Sequence, residues 1–261
     1  MAELLFWPAL LAYGEAAFAY AGDARHPGRL GLLATWGVRV GWLVQTALLV
    51  DQAVRADGFP WDTWAGSLNL FVWLVVGAYL IWGCKPRYRL LGLVVMPLAA
   101  LLLAVSYAAG GAAATGGTGY STLFLVFHVG LVLAGFAGLT LSAAIAALYL
   151  WEERMLKRRS PRLLKFRAPS LAILDRLVGR TVAGALPVLT LGMAAGLARI
   201  DDRSDLDPLI GLTVLAWAVF GAFLVLRYGA GWRGRRSAYL ALVGFALVIG
   251  LHLGLPGSHF A

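Results

Sequence analysis

Four histidines, one cysteine and two charges set inside apolar runs are the side chains of this 261-residue chain best suited to chemistry. An imidazole can ligate a metal through one ring nitrogen while the other is held by a hydrogen bond, or it can carry a proton near neutral pH. His26 stands in a polar turn, whereas His128 opens a long apolar run. His252 lies within the last apolar run, and His259 follows it in Gly254-Leu255-Pro256-Gly257-Ser258-His259-Phe260. Zinc-type ligand sets at useful spacing are missing from the sequence. Cys84 has no second cysteine with which to form an internal disulfide, and no Cys-x-x-Cys-His is present. Glu15 and Arg39 each interrupt an apolar run, where an ionisable group is costly and normally has a partner or a purpose.

The elements that position these residues are read from hydropathy. Eight apolar stretches, Leu4 to Ala21, Leu30 to Leu49, Trp64 to Cys84, Leu90 to Ala108, Leu123 to Tyr149, Val182 to Ala198, Leu209 to Leu226 and Ala238 to Leu255, are each suited to cross a hydrocarbon core. Such a core is about 30 Å thick and takes roughly 20 helical residues. Of the 22 Lys and Arg, 18 fall in alternate gaps: Arg25 and Arg29; Lys85, Arg87 and Arg89; nine from Arg154 to Arg180; and Arg227, Arg233, Arg235 and Arg236. The remaining gaps hold Arg55, Arg199 and Arg203. The positive-inside rule makes the first set cytoplasmic, so the expected topology has eight spans and both termini outside.

That topology brings His128 and His259 to one external level. Two imidazoles at one depth could ligate a haem iron from opposite faces, with His252 about two turns too deep for the same plane. Glu15 and Arg39 also share a depth in an antiparallel hairpin and are expected to pair, as a structural or a functional ion pair.

Composition narrows the class. The chain is 61% hydrophobic and 13% charged, which leaves no room for a large soluble domain, and residues 1–261 read as a single transmembrane domain. The net charge of +9 follows the topology and suits anionic headgroups rather than nucleic acid. The first apolar run lacks a basic n-region and contains Glu15, so it reads as a retained helix rather than a cleaved signal. The inner segment from Trp151 to Arg159 places acids before bases at helical spacing and should extend the fifth helix beyond the bilayer.

From about Trp42 to the C-terminus the chain resembles the cytochrome c assembly and haem-handling family of integral membrane proteins, in particular its compact HemX-like branch related to CcsA. The resemblance is carried by Phe59-Pro60 with Ser67-Leu68-Asn69-Leu70-Phe71-Val72-Trp73, by Phe127-His128-Val129, and by Leu148-Tyr149-Leu150-Trp151-Glu152-Glu153-Arg154. It continues in Leu174-Asp175-Arg176-Leu177, Pro187-Val188-Leu189-Thr190-Leu191-Gly192, Gly231-Trp232-Arg233-Gly234-Arg235-Arg236 and Pro256-Gly257-Ser258-His259. It implies that His128 and His259 are the external haem-holding pair. The family's external tryptophan-rich segment ends in Trp-Asp-Pro; here Arg203-Ser204-Asp205-Leu206-Asp207-Pro208 keeps Asp207-Pro208 without the tryptophans. Gln45 and Val225 stand where some relatives carry histidines within the membrane.

The expectation is therefore an all-α, polytopic membrane protein of a prokaryotic plasma membrane that handles haem for c-type cytochrome biogenesis. A non-covalent, b-type haem would lie at the outer face between His128 and His259, its propionates met by Arg199 or Arg203 near Asp207. Trp61, Trp64 and Phe260 could flank it, although interfacial aromatics suit the same places. Partners implied by the resemblance are an apocytochrome c and a second membrane assembly subunit, and the chain is not expected to be an enzyme on its own. The alternative is a membrane scaffold or regulator, for instance of haem biosynthesis, that has lost haem. A permease using Glu15 and Arg39 is disfavoured, because no inverted repeat or matching pair of broken helices is visible.

Overall fold

A computed structural model describes residues 2–25, 28–56, 59–61, 63–83, 88–110, 121–158, 169–198 and 208–254, with the side chains at 2–3, 82–83, 208–209 and 251–254 outside that description. Among the described residues the secondary structure is eight α-helices without strands. They are α1 (Ala2–Arg25), α2 (Arg29–Arg55), α3 (Trp64–Gly83), α4 (Arg89–Ala108), α5 (Thr122–Lys157), α6 (Leu171–Leu197), α7 (Pro208–Tyr228) and α8 (Arg235–Gly254). Helices are required here, since hydrocarbon offers no partner for a backbone N–H or C=O. Seven of them, α1 to α7, are long and apolar enough to cross a membrane. The chain is a polytopic all-α membrane protein.

The helices pack as two rings of four. In the first, α1 meets α2 and α4, and α3 meets α2 and α4; in the second, α5 meets α6 and α8, and α7 meets α6 and α8. α5 joins the rings by packing on α3 and α4. It is also the most deeply embedded element, burying residues from Leu133 to Glu152. Its 36 residues reach about 54 Å at 1.5 Å per residue, well beyond the hydrocarbon core, so the charged extension expected after Tyr149 is helical. The i,i+4 pair Glu153 to Lys157 at 2.7 Å closes that extension.

Small residues set the closest approach between α5 and α6. A Cβ on Gly135 would lie 2.6 Å from Leu189 Cβ, and one on Gly192 would lie 2.8 Å from the Val132 backbone nitrogen. In lipid, where apolar burial drives little helix association, such backbone contact supplies the packing energy. α6 begins at Leu171, eleven residues before the apolar stretch read from hydropathy. Leu174, Leu177, Val178 and Val182 are buried along one stripe of the added turns, while Arg176 and Arg180 point away from it.

Glu15 and Arg39 do not form the expected pair. Both are exposed on the outer surface of the bundle, and no ion pair joins them; the Arg39 guanidinium instead lies 5.1 Å from the centre of its neighbour Trp36's ring. The reason is the α1 and α2 seam. Gly37 packs on the Ala12 carbonyl and on Ala16, and Gly41 on Tyr13, which turns Glu15 and Arg39 out of the contact.

Candidate haem-binding site

His128 stands in the second turn of α5, about 9 Å along the axis from Thr122. Its Nδ1 lies 2.8 Å from the backbone carbonyl oxygen of Gly192 on α6. A carbonyl only accepts, so Nδ1 carries the proton and donates it, which leaves the Nε2 lone pair as the free ligating position of the neutral ring. Two further contacts fix the imidazole. Phe124, one turn earlier, stacks on it with ring centroids 5.7 Å apart and planes 5° from parallel. On its α6 side the ring rests on Gly196, where a Cβ would be 2.5 Å from the His128 Cε1. The ring is partly buried, with one nitrogen committed and one available.

The other residues expected at this site, His259, Arg199, Arg203, Asp207 and Phe260, lie outside the described residues, as does the His252 side chain. Trp61 and Trp64 are at the start of the α3 segment. The Trp61 indole N–H donates to Gln52 Oε1 at 3.2 Å, and its ring meets Phe59 edge-on with centroids 5.8 Å apart. Trp64 is packed against the core.

Gln45 and Val225, the positions at which the resemblance leads to an expectation of intramembrane histidines, are committed differently. Gln45 is fully buried in the first ring; it accepts from Tyr13 Oη at 2.7 Å, and its Nε2 donates to Asn69 Oδ1 at 2.8 Å and to the Asn69 carbonyl at 3.1 Å. Asn69 Nδ2 in turn donates to Gln52 Oε1 at 3.4 Å. This chain of amides locks α1, α2 and α3 together. Val225 is 70% exposed on the outside of the second ring, so the two positions share no cavity.

Sequence reasoning missed a further polar site. Arg227, at the end of α7, donates through Nη1 and Nη2 to Asp175 Oδ1 and Oδ2 at 3.1 and 2.8 Å, and through Nη2 to the Asp175 carbonyl at 2.8 Å. The Gly234 backbone N–H adds a bond of 2.7 Å to Asp175 Oδ1. Gly234 can sit there because its φ of +68° suits glycine, and because a Cβ would stand 2.9 Å from the Tyr149 hydroxyl. One carboxylate thus fastens α6, α7 and the turn into α8. An acid and an arginine inside apolar surroundings were the available signal, but 52 residues separate them.

Residues 61–255 match the family model described as "Cytochrome C assembly protein". The chain belongs to the cytochrome c assembly protein family. It is 26% identical over 233 residues to the "Cytochrome c biogenesis protein CcsA" of Guillardia theta, covering 80% of this chain and 77% of that protein. It is 28% identical over 232 residues to the "Protein HemX" of Brevibacillus brevis, covering 85% and 83%. With the CcsA of Gloeothece citriformis it shares 27% over 280 residues, covering 87% and 85%. No solved structure is significantly similar to the chain.

Proposed function

We propose that this family member handles haem in c-type cytochrome biogenesis, holding a non-covalent b-type haem at the external face with His128 and His259 as axial ligands. The observation that carries the reading is the state of His128. A ligating histidine characteristically gives its second ring N–H to a carbonyl or carboxylate, which fixes the tautomer and the orientation of the ring. The bond from Nδ1 to the Gly192 carbonyl does this. When bound, haem would supply the group that is delivered to an apocytochrome c, in concert with a second membrane assembly subunit. Arg199 and Arg203 are the cations proposed for its propionates, beside Asp207. The proposed setting is a prokaryotic plasma membrane crossed eight times, with both termini outside.

A second reading, a scaffold or regulator without haem, is favoured by Gln45 and Val225. The first is saturated with hydrogen bonds and the second faces outward, so neither offers a ligand within the membrane. The absorption spectrum of the purified protein, expressed with ample haem, separates the readings. A low-spin bis-imidazole Soret band is expected, weakened by His128→Ala or His259→Ala and partly restored by free imidazole. His26→Ala should leave the band unchanged. Lack of a Soret band in the wild-type protein would establish the scaffold reading.

A further inference from the structure

Between the two rings, α2, α3, α5 and α6 leave a groove of about 470 Å³ that the haem reading does not use. Small residues line it, among them Gly77, Ala78, Gly138 and Gly184, and of the three glycines Gly184 faces open space. One end is closed by Trp42 and Trp73, whose rings stack with centroids 5.1 Å apart and planes 13° from parallel. Their indole N–H groups are already used, Trp42 on the Trp73 carbonyl at 3.1 Å and Trp73 on Thr46 Oγ1 at 2.8 Å, so that end offers only apolar faces. At the other end stand Ile81, Leu141, Arg180 and Thr181. From Trp73 to Ile81 the groove runs eight residues of α3, about 12 Å. That is close to half of a roughly 30 Å hydrocarbon core, which is the depth of one leaflet.

The charge at the open end is unbalanced. Arg180 is exposed, and among the described residues no acidic side chain lines the groove. The neighbouring acids on that side are engaged elsewhere: Asp23 with Arg89, Glu153 with Lys157 and Asp175 with Arg227. Glu152 is buried about three turns beyond Leu141 on α5. An exposed guanidinium at interfacial depth without a carboxylate is a forked donor for a phosphate.

We propose that the groove is a binding site for one anionic phospholipid of the leaflet at the level of Arg180, the cytoplasmic leaflet on the orientation proposed above. The phosphate sits at Arg180, since the Thr181 hydroxyl already donates to the Leu177 carbonyl at 2.9 Å, and one acyl chain lies along Gly184 up to the Trp42 and Trp73 stack. The lipid thereby fills the seam between the two four-helix rings. A phosphodiester suits the Arg180 end and a flexible chain suits a narrow apolar furrow one leaflet deep, whereas a zwitterionic lipid gains less from the uncompensated cation.

Native mass spectrometry of the full-length protein in a non-ionic detergent, titrated with phosphatidylglycerol or phosphatidylcholine, tests the site. One phosphatidylglycerol should be held in preference to phosphatidylcholine. Arg180→Gln should weaken it about fivefold, the worth of one cation near a headgroup, and Arg180→Lys should keep most of the affinity. At Gly184 a Cβ would meet nothing within 4 Å, so Gly184→Leu fills the groove without disturbing the helices and should abolish the preference. Thermal melting before lipid addition should match for all variants, and His128→Ala should bind phosphatidylglycerol normally, whatever becomes of the haem reading. Equal affinity in wild type, Arg180→Gln and Gly184→Leu would overturn the proposal, as would equal binding of both lipids. Stoichiometric displacement of phosphatidylglycerol by a porphyrin in wild type but not in Gly184→Leu would also overturn it and give the groove to a planar ligand.

Discussion

At the scale of single residues, the chemistry of this protein depends on which ring or carboxylate atoms are already spoken for. Gly196 holds the His128 imidazole by having no side chain, since the added methyl of Gly196→Ala would fall 2.5 Å from Cε1. In haem-loaded protein this variant should broaden and shift the Soret band while folded yield stays near wild type, and an unchanged spectrum would show that the ring orientation is immaterial. Asp175 and Arg227 make a stronger demand. Their side chains are about 13% and 8% exposed, and each meets the other through two hydrogen bonds. Removing one partner of such a pair costs about 3–5 kcal/mol because the other charge is left buried, whereas replacing both by apolar residues recovers most of the loss. Arg227→Leu should therefore melt far below wild type in detergent, and Asp175→Leu with Arg227→Leu should melt well above the single variant. Equal melting of single and double variants would deny the coupling.

At the scale of the helix, hydropathy and its interruptions place the elements along the chain but leave their rotation open. The eight apolar stretches fall on eight helices, and α3, α4 and α7 begin and end within two residues of the stretches read for them. α6 starts eleven residues early, because Asp175, Arg176 and Arg180 broke the apolar run while Leu174, Leu177 and Val178 carried the helical stripe. Depth alone put Glu15 beside Arg39, yet the glycine seam of α1 and α2 turns both outward. A double-mutant cycle of Glu15→Leu and Arg39→Leu should accordingly give additive effects on thermal stability, with a coupling below about 0.5 kcal/mol. A coupling several times larger would restore the pair.

For the whole molecule, the segregation of 18 of 22 Lys and Arg into alternate gaps is the basis for the proposed orientation. Cysteines introduced at Gly116 and at Ser160, in a background with Cys84 replaced, should be labelled by an impermeant maleimide only from outside and only from inside respectively. The reverse pattern would move His128 to the cytoplasmic side and remove the basis for external haem.

What the sequence determined by itself was one-dimensional: an all-helical membrane chain, the order and approximate limits of its spans, the side on which its cations gather, and the motifs that mark its family. These follow from hydrophobic length and charge, which act along the membrane normal and need no knowledge of neighbours. The tertiary structure decided what depends on azimuth and on contacts far apart in the chain. It set the His128 tautomer through Gly192 on another helix, the amides of Gln45 and Asn69 as a mutual clasp, the closure of Asp175 on Arg227 across 52 residues, and the groove below the Trp42 and Trp73 stack. Each arises where glycine lets two helices approach or where a polar group must find its partner inside the protein because hydrocarbon supplies none.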